Sequence, residues 1–98
     1  MITHSGDKVQ LAGPLTQQTV KALFDRGLEM AGKSVLEVDL SQVDVVDSSG
    51  VSLMLTWLRQ AQRNNVNLRF SHIPDNLMSL ARLYGVAAML PLSGDIAA

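Results

Sequence analysis

The stretch VDVVDSSGVSLMLTWL, Val43 to Leu58, decides how this chain is read, because an apolar strand pattern gives way there, through Asp47-Ser48-Ser49-Gly50, to a helical one. Upstream, Val35, Leu36, Val38, Leu40, Val43, Val45 and Val46 form β-branched and aliphatic runs of the kind a strand shows when helices cover both faces of its sheet. Downstream, Val51, Met54, Leu55, Leu58 and Gln62 recur at helical spacing. The junction must therefore turn the chain and start a helix. Asp47, Ser48 and Ser49 suit it, because short oxygen-bearing side chains accept hydrogen bonds from the unpaired amides of a first turn. One of the three is the predicted N-cap, and Gly50 allows close backbone approach. The same free amides and the positive end of the helix dipole would tolerate a phosphate on a serine.

The helix carries two apolar faces. At 100° per residue from Val51, Met54, Leu55, Leu58 and Gln62 fall within roughly 60° of it, while Leu53 and Trp57 lie roughly 200–240° around. The first face is expected to pack on the sheet. The second, with the chain's one tryptophan, is expected to face solvent in an isolated domain. Leu53 and Trp57 are thus the predicted partner interface, since tryptophan is enriched in interface hot spots and outward apolar pairs mark partners.

Ninety-eight residues predict one domain, residues 1–98, near the small end of what holds a core without metals or disulfides. The composition, 47% apolar and 17% charged, fits a globular domain that also buries a partner surface. Net charge is −1 and no Lys/Arg run forms a nucleic-acid footprint, which argues against DNA or RNA. Charge is uneven: of the acids only Asp75 and Asp95 follow Ser48, whereas Arg59, Arg63, Arg69 and Arg82 all do. Cysteine is absent, which excludes disulfides, zinc-thiolate sites and thiol catalysis. The N-terminus has no signal architecture and no apolar stretch approaches the roughly 18 residues of a membrane span. The expected location is cytoplasmic, with any membrane association made through a partner.

In chain order, Lys8 to Ala12 reads as a strand, paired with a short one around Ile2 and Thr3 across Ser5-Gly6-Asp7, and ended by Gly13-Pro14. Thr16 caps a helix to about Ala31, with Val20, Leu23, Phe24, Leu28 and Ala31 on one face and Gly32 as its stop. The central strand, about Ser34 to Leu40, and the Ser48 helix, to about Asn64-Asn65, follow. Val66 to Phe70 is a further strand. A final helix starts at Pro74-Asp75, has Leu77, Leu80, Ala81 and Tyr84 inward, and is closed by Gly85. Val86 to Leu92 suggests a short edge strand, and Ser93 to Ala98 a frayed end. The fold class is therefore α/β, with a mostly parallel four- to five-stranded sheet, an N-terminal hairpin and three to four helices. Sites in such sheets gather at the carboxyl ends of strands, where Asp47 to Gly50 should lie.

No catalytic constellation is present. His4 and His72 have no Asp-Ser arrangement near them in sequence, and there is no G-x-S-x-G elbow, Walker A motif or G-x-G-x-x-G. A receiver domain is excluded by the lack of paired acids after the first strand. The chain reads as a non-enzyme with no cofactor and no metal.

Asp39-Leu40-Ser41, then Val43, then Asp47-Ser48-Ser49-Gly50-Val51 and an apolar helix resembles the signature of STAS domains, the fold of bacterial anti-sigma factor antagonists and of the sulfate-transporter C-terminal domain. The order of elements matches along nearly the whole chain. Leu80-Ala81-Arg82-Leu83-Tyr84-Gly85 followed by Leu90-Pro91 is similar to the small, MlaB-type STAS subunit of the Mla phospholipid ABC transporter. That resemblance implies a non-catalytic cytoplasmic subunit, peripheral to the inner membrane, that binds and stabilises or activates the ATPase of a complex serving outer-membrane lipid asymmetry. The helix starting at Ser48 and Ser49 would lie at the contact. The antagonist resemblance implies an alternative, in which an anti-sigma kinase phosphorylates Ser49, the second serine of the motif.

Overall fold

The computed structural model describes residues 2–26 and 33–90. Four strands form one sheet in the order β1-β2-β3-β4, with β1 (Ile2–Ser5), β2 (Lys8–Leu15), β3 (Val35–Val46) and β4 (Asn67–Ser71). β1 and β2 form the antiparallel hairpin, with Ile2 opposite Leu11; β2, β3 and β4 run parallel. Helices α1 (Gln17–Arg26), α2 (Ser48–Arg63) and α3 (Asp75–Leu83) alternate with the strands. The mostly parallel sheet with its leading hairpin is as the sequence predicts. The expected run of α1 to Ala31, its stop at Gly32 and the frayed Ser93–Ala98 end lie outside the described residues. Val86 to Leu90 forms no edge strand; Ala87–Met89 is a short 3₁₀ turn.

The sheet is not buried on both faces, as the central strand had suggested. Leu36, Val38, Leu40 and Val43 are buried, but Val35 and Ser41 are exposed and Glu37 half-buried, so β3 alternates except at the buried Asp39. The polar residues at every second position carry that period, and the aliphatic runs masked it. One apolar cluster joins the buried strand residues to Val20 of α1, Leu53, Met54, Trp57 and Ala61 of α2, and Leu77, Met78 and Ala81 of α3. Phe24, expected inward on α1, is substantially exposed.

Gly13-Pro14 does not end β2, which continues to Leu15. Two irregularities explain how the ladder passes it. Gln10 pairs with Asp39 and Ala12 with Gln42, and Gly13 pairs with Val43 and Leu15 with Val46, so β3 holds one extra residue at each place. Such bulges disrupt the ladder locally, accommodate a proline that has no N–H, and suit Gly13 with its φ of +87°. Beside them, the Ser41 amide donates to Asp39 Oδ1 at 2.9 Å and the Val45 amide to Asp44 Oδ1 at 2.8 Å. Asp39-Leu40-Ser41 is thereby a structural motif. The buried Asp39 carboxylate also sits 3.5 Å from Lys8 Nζ.

Candidate functional site: the start of α2 and its outer groove

Because Leu15 pairs with Val46, the carboxyl ends of β2 and β3 lie side by side and the helices that follow them start as neighbours. Asp47 serves both. It is the N-cap of α2, its Oδ1 accepting from the Ser49 amide at 2.8 Å, while its Oδ2 accepts from the Gln17 amide at 3.0 Å at the start of α1. The Asp47 amide in turn donates to Leu15 O at 3.1 Å. The hydrogen bond from the Gln17 amide is the main reason its carboxyl titrates below the usual value; burial opposes it, and bonds from the Ser49 amide and hydroxyl add to the lowering. One carboxylate thus caps two helices, where the sequence promised only one cap.

Gly50 faces the core. A Cβ there would stand 3.3 Å from Leu77 Cδ1 and 3.4 Å from Leu15 Cβ, so the glycine lets α2 come close to β2 and α3. Ser49 is half-buried with its hydroxyl turned to Asp47, whereas Ser48 is exposed. Asp47 and Gly50, the predicted helix-start motif, are brought together with both serines, but the four residues have different surroundings.

The predicted interface pair is not on the surface. Leu53 is 0% and Trp57 1% exposed, both enclosed in the core. The helix is rotated relative to the sequence reading, and the reason lies in its small and polar residues. Gly50 and Ala61, both buried, sit roughly 260–280° from Val51, where close contact needs little side chain. Ser48, Ser52, Arg59 and Arg63 cluster on the opposite side, within roughly 60–120°, and all four are exposed. The polar stripe gives the orientation that the larger apolar residues obscured. Trp57 Nε1 is buried with no hydrogen-bond partner, a cost of about 1–3 kcal/mol that the ring's burial outweighs.

What α2 does present outward is different. Ser48, Val51, Ser52 and Leu55 form one wall of a groove of about 270 Å³, and Tyr84 and Val86 form the other. Tyr84, expected inside, is 54% exposed because it is the C-cap of α3 and has left the helical period. Gly85, with φ +72°, closes the helix as predicted, and the Val86 amide returns to Ala81 O at 2.9 Å. Leu83 and Met89 add exposed apolar surface near this turn, Leu83 being 76% exposed. The sequence reading placed Leu55 and Tyr84 on inward faces and gave Ser52 and Val86 no site role; the surplus of large apolar residues in LARLYG over what a short amphipathic helix can bury was the available signal.

A larger apolar recess, about 480 Å³, lies between the hairpin and α1 and includes Leu11, Pro14, Thr19 and Leu23. Its hydroxyl, Thr19 Oγ1, donates to Pro14 O at 2.8 Å, and among the described residues no acid, histidine or lysine lines it. His4 is on β1 and His72 in the turn after β4, both exposed. Among the described residues no cluster of acids and histidines could hold a metal ion, and no helix is long and apolar enough to cross a membrane.

Sheet order, hairpin and the helix start after β3 define the class. The fold is that of the anti-sigma factor antagonist SpoIIAA in its unphosphorylated form, with a TM-score of 0.70 at 14% identity, covering 97% of this chain and 88% of that one. A sulfate transporter family protein from Wolinella succinogenes superposes with a TM-score of 0.70 at 16% identity, over 86% of this chain and 70% of that one. The chain belongs to the MlaB family of STAS domains, whose model matches residues 2–91. It is 32% identical over 85 residues to the intermembrane phospholipid transport system binding protein MlaB of Escherichia coli K12, covering 87% of each chain. The Haemophilus influenzae protein of the same name is 29% identical over 93 residues, covering 88% of this chain and 89% of that one.

Proposed function

We propose that this chain is a non-catalytic cytoplasmic subunit of an intermembrane phospholipid transport system, and that it binds and stabilises or activates the ATPase of that ABC complex. The system is the one for which its relatives of about 30% identity are named. The observation that carries the contact surface is the apolar groove beside Ser48, flanked by the exposed Tyr84 and Leu83. Apolar surface gathered at one place on a small protein, next to an exposed hydroxyl, suits a protein partner better than a small substrate. Leu53 and Trp57 are replaced in this role by Leu55 and Tyr84, and Ser48 is the serine that opens into the groove. Attachment to the inner membrane is then indirect, through the ATPase and its permease.

The test is affinity purification of the tagged chain from its native cells, with mass spectrometry of what accompanies it. Recovery of an ABC ATPase with its membrane permease supports the reading. Recovery instead of a small histidine-kinase-like ATPase, with phosphate on Ser49, would establish the anti-sigma alternative. The retained DSSG motif is what keeps that second reading in view. Against it stands the setting of Ser49: a phosphate of about −1.5 to −2 charges would be placed beside the Asp47 carboxylate that its hydroxyl now engages.

A further inference from the structure

The outer face of α2 does not end at the groove. Arg59 and Arg63 continue the exposed stripe of Ser48 and Ser52, and with Thr56 and Gln62 they surround a shallow depression of about 410 Å³. Among the described residues neither arginine's side chain has a hydrogen bond or an ion pair, whereas Lys8 and Lys33 are both paired with acids. Nor can α2 supply one, because Ser48 to Arg63 contains no acid. Two like charges four residues apart repel along a helix. The helix dipole offsets this for Arg63, in the last turn, but less for Arg59 a full turn earlier. The pair is a local electrostatic cost for which the described residues provide no counter-charge.

Resting on the proposed ATPase contact, we infer that the partner's docking segment is an acidic, apolar-anchored stretch of protein: an apolar side chain fills the groove at Leu55 and Tyr84, and carboxylates meet Arg59 and Arg63. The spacing sets its form. At 1.5 Å per residue, Arg59 lies about 6 Å and Arg63 about 12 Å along the axis from Leu55. The acids should therefore follow or precede the apolar anchor by one to two helical turns, or by two to four residues of extended chain. Guanidinium groups hold carboxylates in a bidentate geometry, so this end of the footprint would fix register while the groove supplies burial.

The experiment uses the purified chain and the ATPase–permease complex recovered with it, measuring affinity at about 0.1 M and about 1 M salt. The double reversal Arg59→Glu with Arg63→Glu is expected to weaken binding at least tenfold at the lower salt, and the difference from the native chain should shrink at the higher. Leu55→Ser should weaken binding at both, and Lys21→Glu, on exposed α1, at neither. Urea unfolding followed by Trp57 fluorescence checks that each variant is folded. Native affinity in the double reversal overturns the inference while leaving the ATPase reading intact. So does binding of the native chain to phosphatidylglycerol vesicles that the reversal abolishes without affecting the ATPase, which would assign the arginines to a lipid surface. If the native chain recovers no ATPase, the functional reading itself fails and the inference falls with it.

Discussion

Replacing Trp57 by alanine separates a core role from an interface role. A tryptophan this fully enclosed withdraws about 200 Å² of largely apolar surface beyond Cβ from water, worth about 5 kcal/mol at about 25 cal/mol per Å². Deleting the ring also removes the unpaired indole N–H, returning about 1–3 kcal/mol. The net loss should be about 2–4 kcal/mol, toward the lower end of the usual range for such truncations. A domain of this length has only about 5–15 kcal/mol in all, so Trp57→Ala should be folded but marginal, with its melting temperature lowered by more than about 10 °C. Trp57→Phe keeps a ring in the core and loses the orphaned donor, and should cost less than about 1.5 kcal/mol. Because the chain has a single tryptophan, the variants must be followed by circular dichroism in urea, while the native protein can be followed by fluorescence. Two results would refute the reasoning: quenching of native Trp57 by acrylamide as efficiently as free indole, or a Trp57→Ala variant of native stability that fails only in partner binding.

Further outcomes follow from the same geometry. Tyr84→Ala should leave the urea midpoint nearly unchanged, within about 0.5 kcal/mol, but reduce co-purification of the ATPase; equal recovery would remove the groove from the interface. Asp47→Ala should speed amide hydrogen exchange at both Gln17 and Ser49, one in each helix, and acceleration at Ser49 alone would show that the link to α1 is not made in solution. Gly50→Val should destabilise by about 1–3 kcal/mol through overpacking against Leu15 and Leu77, whereas Gly50→Ala should be milder, because the terminal methyl of Leu77 can shift. Asp39 and Asp47 both titrate below the usual 3.8. For Asp39, burial opposes this and is outweighed by the Ser41 amide and hydroxyl bonds and by the charges of His72 and Lys8. A lowered folded value means that their contribution is complete above 3.8 and is lost as pH falls through the folded values, so native stability should drop in that acid window; Asp39→Asn should flatten the drop, as urea midpoints measured against pH would show.

Much of the architecture was legible because it is written in periods and breakers: the hairpin, the strand–helix alternation, the switch at Asp47, and Gly85 as the stop of α3. What was not legible turned on partners distant in sequence. Pro14 was read as a strand end because a proline cannot donate to a ladder, and nothing local announces that β3 would bulge opposite it. The second acceptor duty of Asp47 depends on Leu15 and Val46 ending in register, a property of the sheet and not of the motif. The orientation of α2 was recoverable in principle. Anchoring the helical wheel on its exposed serines and arginines places Trp57 inward, whereas anchoring it on Val51 and Leu55 rolls the helix toward its boundary residues.

That rotation changes what the tetrapeptide at the helix start is for. Asp47 is engaged with two helices, Ser49 is turned to Asp47, and Gly50 is pressed between Leu15 and Leu77, so three of the four residues are explained by holding the end of β3, α1 and α2 together. Ser48 is left over: exposed, its hydroxyl without a hydrogen bond among the described residues, and on the lip of the groove. If the tetrapeptide meets a partner directly, Ser48 is the residue placed to do so. Its neighbours supply rigidity, since a hydroxyl on the first turn of a doubly capped helix is held in position before any partner arrives. Ser48→Ala should accordingly weaken partner binding without lowering the urea midpoint, and Ser49→Ala should do the reverse. Equal and purely structural effects at both positions would return the motif to a helix cap with no part in recognition.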